Sequence, residues 1–430
     1  MMTHSRNLSG SLKQLRVIGV AASLFMLSFS STPAWSQAAI KDSGLKQPII
    51  RYDSIHHPVK GRYGMVVSQN SIATRVGQAI LAKGGNAIDA SVAVGFALAV
   101  TLPRAGNLGG SGFMLAHIVD DKKTYALDYR SVAPLSATIE KLSGPDGEVN
   151  LDKLTFGPVA PGVPGTVSAM HQAWQRFGSL AWKDLLQPAH QLANDGFEVG
   201  HDLAHVLNMA SAVLKYYSPA SAYIRKDGQP WMAGDVLIQK DLAWSIGQIM
   251  AHGAVAFYEG ELADRIVSAF EKAGGLIRKE DLLAYRVKER QAVATSYRGK
   301  QVISMPPVSG GGVTLLQMLN ILENFPMSEF GAGSAQSLHV LAETMKRAAA
   351  NRRSLLGDPD FVDVPIDGYI SKDLAKDMAK KIDLQHAADV ETINAEPVER
   401  YESRNTTQFT VMDQYGNAVS NTYTLGYSFG

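Results

Sequence analysis

The sequence predicts a mixed α/β protein that is helix-rich in its first part and ends in a β-hairpin. Three patterns lead there. Alanine-rich runs with helical spacing fill much of 71–100, and a glycine cluster at 109–112 opens a strand-like run. Near the end, β-branched and polar residues alternate on either side of a short turn.

Ser71 to Lys83 has the spacing of a helix and stops at Gly84-Gly85. Asn86 is placed to cap the next helix, Ile88 to Val100, which is apolar nearly all round and so belongs in a core. Pro103 breaks it well short of the roughly 20 residues that span a bilayer. Asn107-Leu108-Gly109-Gly110-Ser111-Gly112 then leads into a β-like run, Phe113 to Val119, with a return strand from Thr124 to Tyr129. These glycines precede a strand instead of following one and opening a helix, so they fit close backbone packing better than a dinucleotide loop.

Beyond Pro161-Gly162-Val163-Pro164-Gly165 the middle reads as mostly helical. Gly310-Gly311-Gly312 stands before a helix from Thr314 to Asn324 and admits two readings: an anion held on free amides, or close passage of two backbones, which is preferred. Lys346, Arg347, Arg352 and Arg353 read as a solvated helix face. Thr407 to Met412 and Ala418 to Leu425 form the closing hairpin around Asp413-Gln414-Tyr415-Gly416-Asn417, with Thr406 at its entry.

The whole chain has 430 residues, 46% of them hydrophobic, enough to bury a large core. With 41 basic and 40 acidic residues it lacks the basic excess of a nucleic-acid binder, and no nucleic acid is expected as a partner. Arg6, Lys13 and Arg16 precede the apolar run Val17–Phe29, and small residues follow at Ala34 and Ser36. This is the pattern of a signal peptide over 1–36, so export to a periplasm or the outside is expected, without stable membrane insertion. With no cysteine, nucleophilic chemistry falls to a hydroxyl, carboxylate or amine. The histidines lack metal-ligand spacing, so neither metal nor cofactor is expected.

Asn405-Thr406-Thr407-Gln408-Phe409-Thr410-Val411-Met412-Asp413, with Gly416-Asn417-Ala418-Val419 and Thr422-Tyr423-Thr424-Leu425, resembles the processing site of the γ-glutamyltranspeptidases. Family-like segments also run in order upstream. They are Pro103–Gly110, Asp128-Tyr129-Arg130, Pro161–Val167, Gly274-Gly275-Leu276-Ile277, Met305-Pro306-Pro307 and Leu356–Phe361. The resemblance implies the α+β fold of the N-terminal-nucleophile hydrolases, a four-layer αββα sandwich. It also implies a large subunit, 37–405, and a small subunit starting at Thr406 after autocatalytic cleavage of Asn405–Thr406.

By the same resemblance, Thr406 is the nucleophile, Thr424 assists it through its hydroxyl, and Arg130 holds the substrate α-carboxylate. Asn405, Thr406 and Thr407 form the processing site, although Thr407 is better read as structural. The implied donor is glutathione or another γ-glutamyl amide, and the acceptor is water, an amino acid or a peptide. Two positions depart from the family: Ser131 where Glu is usual, and Gly426 where many members carry an Asn that can contact the glutamyl group. They leave open a cephalosporin-acylase-like amidase. The stretch 406–430 amounts to roughly one hairpin, against a family small subunit that goes on to supply the oxyanion hole. The expectation is therefore that the chain as written is inactive, and a non-catalytic exported remnant is a third reading.

Overall fold

The computed structural model describes residues 59–218, 221–393 and 405–429. The expected signal peptide, 1–36, lies outside them. The chain divides at Lys60–Gly61, and the architecture belongs to the unit from Gly61 onward.

That unit opens with β1 (Gly64–Val67), α1 (Ser71–Ala82) and α2 (Ala87–Thr101). Both helices begin where an asparagine satisfies the first free amides. Asn70 accepts from Ile72 and Ala73, and Asn86 accepts from Ile88 and Asp89 while the Asp89 carboxylate bonds back to the Asn86 N–H. Every residue of α2 is buried, as its all-round apolar sequence requires. Its single carboxylate, Asp89, is held by the Ser179 N–H at 3.0 Å and by the Ser179 hydroxyl.

Next come β2 (Ser111–Ile118) and β3 (Lys123–Tyr129), then the two-residue strands β4 (Phe197–Glu198) and β5 (Val236–Leu237). The segment from 288 to 304 holds β6 (Lys288–Gln291), β7 (Val293–Tyr297) and β8 (Lys300–Ser304), strands within a stretch expected to be mostly helical. The last described elements are β9 (Asn405–Asp413) and β10 (Ala418–Gly426).

Six strands form one sheet in the order β1-β9-β10-β2-β3-β6, every pairing antiparallel. The final hairpin therefore sits inside the sheet, between β1 and β2. Its turn is drawn onto α2 by Asp413, whose carboxylate accepts from the backbone N–H of Tyr415, Asn417 and Ala87. One face of the sheet, including Val66, Phe409, Val411, Val419, Tyr423, Met114, Leu127 and Tyr129, is buried in the same core as α2. The other face is open along β1 and β9, where Met65, Val67, Thr406, Gln408, Thr410 and Met412 are exposed. Of the αββα sandwich expected, the described residues show one β layer backed by helices on the α2 side.

Two expectations about the second half change. Gly310–Gly312 lie in the first turn of the helix Gly310–Leu322, not before it. A Cβ on Gly312 would come within 1.9 Å of the Met305 carbonyl oxygen, so close backbone passage is the role of that glycine. The charged run at 346–353 is not a simply solvated face. Arg347 is buried and pairs with buried Glu343, because the helix Ala335–Leu355 packs that side against the chain around Lys381 and Ala388.

Candidate active site

The alternation of β9 puts Thr406 on the open face of the sheet and Thr407 on the buried one. Thr407 pairs with Tyr423, and Asn405 pairs with Gly426. Two residues of β10, Thr424 and Leu425, therefore lie opposite the single residue Thr406, a bulge of the kind that re-aims side chains beside active sites. Gly426 closes the bulge at φ +97°, a conformation that costs glycine nothing. Its N–H donates to Thr424 Oγ1 at 2.9 Å. A hydroxyl that accepts this bond still has its proton to donate.

Thr424 is seated from behind by the glycine cluster. A Cβ on Gly110 would fall 2.3 Å from the Thr424 carbonyl oxygen, and one on Gly112 equally close to that of Thr422. Asn107 holds this approach: its Oδ1 accepts from the Gly110 N–H at 2.9 Å and from the Thr166 hydroxyl at 2.7 Å. The Gly165 N–H donates back to the Gly110 carbonyl at 2.9 Å. Close packing, the reading preferred for these glycines from sequence, is what Gly110 and Gly112 do, while a Cβ on Gly109 would meet nothing within 4 Å. Thr407 contributes to the core instead: it is 1% exposed, and its hydroxyl has no hydrogen-bond partner among the described residues.

Arg130 stands just past β3. The pairings Thr424–Ser111 and Gly112–Tyr129 place Thr406, Thr424, Ser111 and Arg130 in one row at the same end of four neighbouring strands. Three strand spacings put Arg130 about 14 Å from β9. Its side chain is exposed, and no carboxylate among the described residues pairs with it. Its backbone is fixed on both sides: the N–H donates to Asp128 Oδ1 at 3.0 Å, and the carbonyl accepts from the Tyr285 hydroxyl at 3.0 Å. Asp128, 4% exposed, also accepts from Arg290 Nε at 2.7 Å, and Arg290 reaches on to Asp360. Hydrogen bonds from Arg290 and Lys288 hold the Asp360 carboxyl well below its usual range, and burial pushes the Tyr285 hydroxyl well up. Ser131, half-buried, lies against Gly162.

Asp128, Tyr285, Arg290 and Asn107 are the supporting residues that sequence reading did not single out. Asp128 and Asn107 stood inside quoted segments, but Tyr285 lies 155 residues from Arg130 with no local signal. A groove of about 660 Å³ lined by His117, Thr124, Glu289 and Arg290 lies toward the other end of β2 and β3 from Ser111, away from Thr406. Among the described residues no group of three or more His, Asp or Glu could hold a metal ion.

The structure is similar to that of Helicobacter pylori γ-glutamyltranspeptidase, with a TM-score of 0.76 and 40% identity over 79% of this chain and 97% of that one. It is also similar to cephalosporin acylase from Bacillus halodurans, with a TM-score of 0.73 and 26% identity over 89% of this chain and 70% of that one. The fold is that of the N-terminal-nucleophile hydrolases. Within that class, the family model for γ-glutamyltranspeptidase matches residues 73–430. The glutathione hydrolase proenzyme of Escherichia coli (strain K12) is 44% identical over 379 residues, covering 88% of this chain. The chain belongs to the γ-glutamyltranspeptidase family. It spans 65% of the length of the E. coli relative.

Proposed function

We propose that the chain is the precursor of an exported enzyme that hydrolyses and transfers γ-glutamyl groups from glutathione and related amides, using Thr406 as an N-terminal nucleophile. The observation that carries this is the row at the end of the sheet. An exposed threonine on β9, a bulged threonine with an amide donor on its oxygen, and an arginine that pairs with no carboxylate among the described residues stand in one row at the edge of the open face. The names of the relatives, a glutathione hydrolase proenzyme and a γ-glutamyltranspeptidase, support both the reaction and the processing.

In the proposed processing step, the Thr406 hydroxyl oxygen attacks the Asn405 carbonyl carbon. The C–N bond breaks as the C–O bond forms, and the Thr406 nitrogen leaves as a free amine. Water then hydrolyses the ester, giving a chain ending at Asn405 and a chain beginning at Thr406. The new α-amine has an ordinary pKa of about 7.7–8.0, so near neutral pH it can take the proton from the Thr406 hydroxyl. That oxygen attacks the γ-carbonyl of the donor, the proton passes to the departing amine, and a γ-glutamyl ester of Thr406 remains. Water releases glutamate from it, or an acceptor amine takes the acyl group.

In this reading Thr424 donates its hydroxyl to the Thr406 oxygen. Arg130 binds the donor α-carboxylate with two parallel N–H bonds, the geometry to which guanidinium is suited. The 14 Å between strands is filled by the arginine side chain and the extended glutamyl group. Gly426 leaves its side of the site without a side chain, and a Cβ there would meet nothing within 4 Å. With no polar side chain there to contact the glutamyl amine, a second reading stays alive, an amidase for acyl groups that lack it, in line with the likeness to cephalosporin acylase.

The test uses the protein expressed from its complete reading frame. A γ-glutamyl anilide should release its aniline, a glutaryl anilide much less, and Thr406→Ala should release none. Preference for the glutaryl anilide would favour the acylase reading.

A further inference from the structure

Arg130 is exposed yet held on both sides of its backbone. Arginine side chains carry about 2 kcal/mol of rotamer entropy, and a substrate that must also order a loose backbone loses more affinity. Here the backbone is already ordered. The Asp128 carboxylate accepts the Arg130 N–H at 3.0 Å and is anchored by Arg290 Nε at 2.7 Å. Arg290 joins β6 to Asp360, at 3.0 Å and 2.8 Å, so this anchor ties β3 and β6 to the chain around 360. On the other side, the Tyr285 hydroxyl donates to the Arg130 carbonyl at 3.0 Å. Tyr285 is 5% exposed and stacks on Tyr258 with centroids 5.9 Å apart. Its hydroxyl reaches Arg130 because position 165 is glycine: a Cβ there would lie 2.0 Å from the Tyr285 oxygen.

We infer that Asp128 and Tyr285 are positioning residues for substrate binding. They act through the two backbone hydrogen bonds of Arg130 and preset the direction of its guanidinium toward the donor carboxylate. Neither touches the substrate. The inference rests on the reading of Arg130 as the carboxylate-binding residue. Its signature is selective: loss of either anchor weakens binding of donors that carry an α-carboxylate and leaves the acyl-transfer chemistry at Thr406 alone.

The test compares two donors in the complete processed enzyme, the γ-glutamyl anilide and the 4-aminobutyryl anilide, which lacks only the α-carboxylate. A net hydrogen bond is worth about 0.5–1.5 kcal/mol. Tyr285→Phe, which deletes the donor to the Arg130 carbonyl, and Asp128→Asn, which keeps an acceptor for the Arg130 N–H but breaks its anchor to Arg290, should therefore each raise KM for the γ-glutamyl donor by about 2- to 12-fold. Values of kcat should stay within about 2-fold, and kcat/KM for the 4-aminobutyryl donor should be unchanged. Arg130→Lys is the control and should show the same selectivity, more strongly. If Arg130→Lys is selective but neither Tyr285→Phe nor Asp128→Asn is, the anchoring inference is overturned and the role of Arg130 stands. If both donors lose equally in the two anchor variants, Asp128 and Tyr285 are merely structural and the inference is again overturned. If Arg130→Lys itself shows no selectivity, the reading of Arg130 falls, and the inference with it.

Discussion

Gly110 and Thr424 approach so closely that a Cβ on the glycine would sit 2.3 Å from the threonine carbonyl oxygen. Real Cβ atoms do not tolerate that distance, so the strand bearing Thr424 would have to move.

Gly110→Ala is accordingly expected to lower stability by about 1–3 kcal/mol, the usual range for overpacking a close contact. It should also slow cleavage at Asn405–Thr406 by displacing Thr424. Gly109→Ala is the matched control, since a Cβ there meets nothing within 4 Å. Urea unfolding of the two variants should separate them; equal midpoints would mean that the contact carries no weight.

Gly426 acts on Thr424 through its backbone. Gly426→Ala keeps the N–H and enters open space, at a cost of about 1–2 kcal/mol for a side chain at positive φ. Gly426→Pro deletes the donor and fixes φ near −65°. Cleavage followed by gel densitometry should slow modestly in the first variant and stop or nearly stop in the second. Similar rates in both would show that the amide on Thr424 Oγ1 is dispensable.

The pair Glu343–Arg347 is buried, with 1% and 7% exposure, and Arg347 also donates to the Lys381 carbonyl at 2.7 Å. Arg347→Ala leaves the buried carboxylate with Lys346 as its remaining cation and should cost about 1.5–3 kcal/mol, the worth of a hydrogen bond to a charged group. Burial alone would raise the Glu343 pKa, but hydrogen bonds from Lys346, Arg347 and the Ala388 N–H outweigh it and the net shift is downward from 4.5. A depressed carboxyl stabilises the fold above its unfolded pKa and ceases to do so as pH falls through the folded value. The thermal midpoint should therefore drop as pH is lowered beneath about 4.5, and part of that drop should vanish in Glu343→Gln.

What the sequence revealed and what it hid divide along chain distance. The α1 and α2 helices were legible because their signals are local: Asn70 and Asn86 cap them, and the apolar pattern of α2 has no polar side to expose. The β2–β3 and β9–β10 hairpins were legible from alternation and turn residues. Strands β6, β7 and β8 were missed because they are only four or five residues long: β6 is wholly Lys, Glu, Arg and Gln, and the alternation in β7 and β8 is too brief to stand out from the helical stretches around it. The buried state of Arg347 was hidden because its cover comes from around Lys381, far along the chain. Within the site, Thr406, Thr424 and Arg130 came from resemblance to the family. Their alignment across four strands, and the Asp128 and Tyr285 anchors, depend on pairings that no local pattern encodes.

The fate of the Asn405–Thr406 bond tests the role of Thr406 most directly. Intact mass spectrometry of the purified full-length gene product should find two chains. One should end at Asn405 and the other begin at Thr406 with a free amine, and Thr406→Ala should give a single uncut chain. An active wild-type protein that remains uncut, or is cut elsewhere, would contradict the role given to Thr406.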